Sequence, residues 1–250
     1  MRVLPAILFG LGLAVFGPSS GANAKTLRFS GYDWVVRPNG TGAPGPNNWA
    51  ARNAWVDNRG RLHLRLNKRH GEWFAAEVRT VQRLGFGRYE FSIKAKLGAL
   101  DHNVVVGLFN YPTPDVGPDE THEIDIEFAR WGDPKKPAGN FTAWPVDPGL
   151  KLTGKAFKIP RHGRKSTHRF DWTSSSIAFR SLRRNGKDDA ETIASWVYSP
   201  DNPASRIAQQ PMPLHMNVWA FRGRPPSNGE PVEIIIRRFS FTPDQSRTPE

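Results

Sequence analysis

The sequence predicts an all-β fold, a sandwich or barrel of many short strands, and three observations carry that reading. Apolar residues recur with a period of two, a period of 3.6 is scarce, and turn signals cut the chain at short intervals. Leu62-His63-Leu64-Arg65-Leu66 alternates strictly, as does Tyr89-Glu90-Phe91-Ser92-Ile93-Lys94. Phe170-Asp171-Trp172 and Ile177-Ala178-Phe179-Arg180 read as a strand pair, and Val232 to Phe241 as a last strand. Asp57-Asn58-Arg59-Gly60, Arg69-His70-Gly71 and Arg184-Asn185-Gly186 supply turns. With 23 Gly and 22 Pro, long helices are disfavoured, and Ala204 to Gln209 is the one weak helical segment. No repeat and no linker divides the chain, so residues 25–250 are expected to form one domain, with a frayed tail from Pro243 to Glu250.

Residues 1–24 read differently. Arg2, the apolar run from Val3 to Phe16 and the small-residue site Ala22-Asn23-Ala24 have the layout of a secretory signal peptide, cleaved before Lys25. The run is shorter than the roughly 20 residues of a membrane span. A retained anchor is the other reading. No other stretch could span a bilayer, so a periplasmic or extracellular domain is expected. The chain has no cysteine, which excludes thiol catalysis and cysteine-ligated zinc. The net charge of +12 favours an anionic partner, such as an acidic polymer or a cell envelope, or simply gives a solvated basic surface.

The informative segment is His122-Glu123-Ile124-Asp125-Ile126-Glu127-Phe128. Side chains alternate along a strand, so Glu123, Asp125 and Glu127 share one face and Ile124, Ile126 and Phe128 the other. Three like charges in a row repel, with no Lys or Arg interleaved. Residues four apart have Cα atoms roughly 13 Å apart on a strand. On a concave sheet, two glutamates leaning together can approach the roughly 5–5.5 Å carboxyl separation of a retaining glycosidase. Asp125 between them raises the pKa of the acid and can share a proton. An amphipathic edge strand with a wet acidic face is one alternative. A cation site is another, although a row along a strand wraps an ion poorly.

With these residues in view, the chain resembles glycoside hydrolase family 16, whose E-(I/L)-D-(I/F)-E signature matches Glu123 to Glu127. The resemblance implies Glu123 as nucleophile, Asp125 as its assistant and Glu127 as acid/base. It also implies a jelly-roll of two curved antiparallel sheets with the substrate cleft on the concave face. Ala76-Glu77-Val78-Arg79-Thr80, Phe109-Asn110-Tyr111, Met216-Asn217-Val218-Trp219 and His168-Arg169-Phe170-Asp171-Trp172 are similar to segments of the lichenase branch. By that likeness Glu77, Arg79, Phe109, Tyr111, Asn217 and Trp219 are expected to contact sugar. Trp144 is expected on a neighbouring strand of the cleft. Each has a plainer reading: the aromatics as core, Glu77 and Arg79 as a mutual ion pair. His122 falls on the opposite face in a regular strand and receives no catalytic role.

Three departures qualify the resemblance. Thr121 stands where the lichenase branch has a Trp. Arg237 stands where that branch has a calcium-binding Asp, so no metal and no cofactor are expected. Gly107-Leu108-Phe109-Asn110 replaces the Trp-rich strand of the laminarinase branch. The implied activity is retaining endo-hydrolysis of a β-linked polysaccharide, and the positive charge makes anionic polysaccharides candidates. A transglycosylase on the same site, a lectin-like jelly-roll and an envelope-bound scaffold are the rivals. A nucleic-acid role fits poorly, since an acidic cleft repels phosphate.

Overall fold

The computed structural model describes residues 24–162, 164–183 and 191–244. The predicted signal peptide save Ala24, the turn at Arg184-Asn185-Gly186 and the tail beyond Asp244 lie outside the described residues. The strands are β1 (Thr26–Phe29), β2 (Tyr32–Val36), β3 (Gly40–Gly42), β4 (Asn47–Trp49), β5 (Ala54–Val56) and β6 (Leu62–Arg69). They continue with β7 (Glu72–Leu84), β8 (Gly87–Lys94), β9 (Val104–Asn110), β10 (Ile124–Ala129), β11 (Gly139–Ala143) and β12 (Thr153–Phe157). The last are β13 (Lys165–Trp172), β14 (Ile177–Arg183), β15 (Thr192–Tyr198), β16 (Met212–Ala220) and β17 (Val232–Pro243).

All but β3 and β4 form two curved antiparallel sheets packed as a sandwich; β3 pairs with β4, which runs parallel to the start of β7. The front sheet runs β1-β2-β7-β16-β9-β10-β11-β12. The back sheet runs β5-β6-β17-β8-β13-β14-β15. The start of β7 pairs with β6 and its remainder with β2 and β16, so one strand joins the two layers. The β6–β7 turn places His70 at φ 48° and Gly71 at φ 87°, the left-handed pair that a tight hairpin needs.

Alternation explains the core. Ile124, Ile126 and Phe128 of β10 face inward, as do Tyr89, Phe91 and Ile93 of β8, and all are buried. Tyr89 stacks on Phe170 at 4.5 Å within the back sheet, and Phe141 stacks on Phe179 at 5.0 Å across the two layers. One polar group sits among them. The His168 ring contacts the Ser166 and Ser181 hydroxyls at 2.7 and 2.8 Å, and burial lowers its pKa to about 3, keeping it neutral.

The structure departs from the sequence reading in three places. The helical segment is a single turn, Pro203–Arg206, because Ile207 returns to extended backbone and buries with Ala208. The last strand reaches Pro243, and a bulge between Ile236 and Arg238 takes Arg237 out of alternation. The polar His63, between the alternating leucines Leu62 and Leu64, is buried as they are.

A charge network accounts for His63. Its Nδ1 lies 2.7 Å from Glu233 Oε1 and its Nε2 lies 3.1 Å from Asp57 Oδ2, with Trp55 stacked on the ring at 4.8 Å. Arg61 binds Asp57 and Arg65 binds Glu233. The hydrogen bond from Arg61 chiefly holds the Asp57 carboxyl well below its usual range. For Glu233 burial acts upward, and the bonds from Arg65 and His63 outweigh it. Both folded pKa values lie below the unfolded ones. Their stabilisation is therefore complete above the unfolded carboxylate pKa and is lost as pH falls through the folded values. Thermal melts of the wild type are expected to drop between about pH 4.5 and about pH 2.5. Glu233→Gln should lower the melting temperature at neutral pH and flatten that drop; a variant curve parallel to the wild type would refute the linkage.

Candidate active site

The acidic row lies at the centre of the front sheet. Glu123 immediately precedes β10, and its carbonyl accepts the Trp144 N–H at 2.8 Å, which carries the β10–β11 ladder one step further. Asp125 and Glu127 follow on the same face. Register then sets their neighbours. Glu127 lies opposite Gly107, Gly107 opposite Asn217, and Asn217 opposite Glu77. The next row runs Asp125, Phe109, His215, Arg79. Two rows of functional side chains therefore cross β10, β9, β16 and β7.

Gly107 opens the floor of this face. A Cβ there would lie 2.7 Å from Asn217 Oδ1 and 3.1 Å from the Phe109 ring. The Gly107 N–H instead donates to Asn217 Oδ1 at 3.0 Å, fixing the amide beside Glu127.

One pocket gathers Glu123, Asp125, Glu127, Phe109, Trp144, Asn217 and Trp219. Pro44 and Glu120 complete its lining. Glu77, Arg79 and Tyr111 are not part of it. Glu77 is 1% exposed, and its carboxylate binds His215 Nδ1 at 2.9 Å and Arg37 Nη1 at 3.1 Å. Burial pushes its pKa up, but His215 and Arg37 together hold it low and ionised. Arg79 is half-buried beside it. Tyr111 donates its hydroxyl to Asp119 Oδ1 at 2.8 Å and packs edge-on to Phe109, with His215 against both rings. His122 precedes the regular strand, at φ 61°, and its Nδ1 lies 2.7 Å from Thr121 Oγ1, away from the acids.

The carboxyls share a strained electrostatic environment. Asp125 is 2% exposed, accepts the Trp144 Nε1–H at 2.9 Å and hydrogen-bonds to Glu123. Burial, then the Glu123 charge, raises the Asp125 pKa well above the usual range. Burial, then Asp125, does the same to Glu127. Glu123 is pushed up to about 8, mainly by burial, while the hydrogen bond from Asp125 acts downward. Asp125 thus holds a proton and donates it toward Glu123. The row can do what paired carboxyls do: one accepts or attacks as an anion, another delivers a proton.

No family model matches the chain, and no curated protein does. Solved structures do. The β-glucanase of Bacillus licheniformis aligns with 84% of this chain and 92% of its own, at a TM-score of 0.62 and 23% identity. The chain has the fold of a β-glucanase. A β-1,3-1,4-glucanase (lichenase) from a mouse hindgut metagenome aligns at a TM-score of 0.60 and 21% identity, over 84% and 93% of the two chains. An immunostimulatory antigen and pseudo β-1,3-glucanase of Mycobacterium tuberculosis aligns at 0.63 and 19% identity, over 84% and 91%. At these identities the likeness is one of fold, and it bears out the jelly-roll with its concave cleft.

Sequence reasoning missed Pro44, Gly107, Glu120 and His215. His215 was within reach, since it shares the face of Asn217 and Trp219 by alternation. Pro44 and Glu120 come from loops, and Gly107 gains its meaning only from register. Among the described residues, no group of three or more His, Asp and Glu is arranged to hold a metal ion.

The raised Glu123 pKa has a stability consequence of opposite sign to the Asp57 and Glu233 network. The folded group binds its proton more tightly than the unfolded one, so stability is lost as pH rises from the unfolded value toward about 8. Glu123→Gln is expected to melt several degrees higher than the wild type at about pH 8, with the gap closing toward about pH 4. A variant that melts lower at both values would contradict the buried-charge account.

Proposed function

We propose that this chain is a retaining endo-β-glycosidase of the family 16 type, acting on a β-glucan-like polysaccharide by double displacement. The observation that carries the reading is Asp125 standing between Glu123 and Glu127 on one strand face, bonded to Glu123 and Trp144, in a pocket walled by Trp144 and Trp219. Binding alone has no use for three carboxyls in a row, two of them buried and the third half-buried.

In the first step Glu127 gives its proton to the glycosidic oxygen while Glu123 attacks carbon 1, and a covalent glycosyl-enzyme forms. The raised pKa of Glu127 keeps that proton in place at neutral pH, as an acid catalyst requires. Burial holds the Glu123 pKa up at about 8 although the hydrogen bond from Asp125 acts downward, so the attacking anion is the minor form at neutral pH and grows in as pH rises toward that value. In the second step Glu127, now a base, takes a proton from water, which displaces Glu123 from carbon 1. Two displacements leave the configuration unchanged. Asn217, Trp219, Phe109 and Trp144 are the proposed sugar contacts within the pocket. Glu77 acts at one remove, holding His215 behind Phe109. The names of the similar structures support a β-1,3 or mixed-linkage glucan as substrate.

Glu123→Gln and Glu127→Gln are each expected to lower kcat on β-glucan by about a thousandfold or more, with circular dichroism unchanged. Proton NMR of the fresh wild-type products should show the β-anomer first. Initial appearance of the α-anomer, or near-normal turnover by Glu123→Gln, would end the proposal. We also propose that the chain is exported and cleaved, from its N-terminal pattern; N-terminal sequencing of secreted protein should begin at Lys25, and protein found only inside the cell with Met1 intact would refute it.

A further inference from the structure

We propose that Glu120 is a specificity-determining residue that restricts this pocket to uncharged sugar rings. The inference rests on the glycosidase reading for the reaction, but on the pocket itself for the recognition.

The chain carries a net charge of +12, yet none of that excess reaches the site. The pocket lining holds four acids, Glu120, Glu123, Asp125 and Glu127, and no Lys or Arg. The cations on the same face stand one strand or more away, where Arg37 is engaged by Glu77. A uronate or sulfated ring entering here would meet the Glu120 carboxylate and no compensating cation. The remaining lining, Trp144, Trp219, Phe109 and Asn217, offers ring faces and an amide, which is the chemistry that recognises a neutral pyranose.

Of the four acids, Glu120 alone lies outside the alternating row, and it takes no part in the proton transfers. It comes from the 112–122 loop, which is held at several points. Arg83 grips Asp115 through two bonds of 2.6 and 2.9 Å, Tyr111 binds Asp119, and Thr121 Oγ1 donates to the Pro118 carbonyl at 2.6 Å. The His122 N–H donates to Pro145 at 3.0 Å on the far side. Between these anchors Glu120 sits at φ 64°, a left-handed backbone that a glutamate adopts only when its surroundings impose it. A carboxylate there accepts hydrogen bonds from two neighbouring hydroxyls of one ring and repels a carboxylate or sulfate in the same position.

The test uses a matched pair of probes: a β-1,3-1,4-linked gluco-oligosaccharide and the same oligosaccharide oxidised at C6 to uronates. Binding is read by calorimetry, and turnover in parallel. The wild type should bind the neutral probe about tenfold tighter or more, as like-charge rejection requires. Glu120→Gln should weaken neutral binding and bring the ratio near unity, and Glu120→Lys should reverse it, both with wild-type circular dichroism. Equal binding of the two probes by the wild type, no binding of either, or a ratio unmoved by both variants would overturn the inference. Binding of the neutral probe with the predicted ratio but without retaining hydrolysis would sink the proposed reaction and leave this recognition standing.

Discussion

Crowding three carboxyl groups, two buried and one half-buried, on one strand face is the constraint around which the front sheet is organised. Each carboxyl would be ionised in water. Withdrawn from water in the cleft, they keep at most part of that charge, so protons stay on and the groups become unequal. Asp125 is the most enclosed and is fixed by Trp144, Glu123 receives its hydrogen bond, and Glu127 faces the gap left by Gly107. The inequality that chemistry needs follows from burial and position on a single strand.

The molecule separates two electrostatic regimes. On the back sheet, Asp57 and Glu233 are paired with arginines and His63, and they stabilise the fold as anions. In the cleft, the acids are paired with one another, and they oppose the fold as anions. Glu77 lies between the regimes: it is fully enclosed, like the trio, but His215 and Arg37 keep it ionised. A pattern of charged residues in a sequence does not distinguish these cases, because the sign of the effect depends on which partner the register brings alongside.

That distinction also marks how far the sequence could be read. The shared face of Glu123, Asp125 and Glu127 follows from a period of two, and so do the inward Ile124, Ile126 and Phe128; both needed only local regularity. Phe109, Asn217 and Trp219 were legible for the same reason, aided by family likeness. His63 was not, because its cover comes from Asp57 and Glu233, which are far apart in the chain and meet only when β6 pairs with β17. Gly107 reads as a weak point in a strand until Asn217 and Glu127 are placed on either side of it. Glu120 lies in a proline-rich loop whose path is set by Arg83 and Tyr111, and no periodicity predicts where such a loop aims a side chain. The single turn at Pro203–Arg206 shows the converse: a local tendency to coil, cut short because Ile207 and Ala208 are needed in the core.

The passage of β7 from one layer to the other makes the sandwich behave like a bound volume. Along that margin the leaves are stitched by continuous backbone, in a chain with no disulfide to do the same elsewhere. At the opposite margin, the bond from Lys155 Nζ to the Ser195 carbonyl links β12 to β15. Glu77 and Arg79 are thus carried by the strand that binds the layers covalently, and the acids of β10 stand three strands along the same sheet from it.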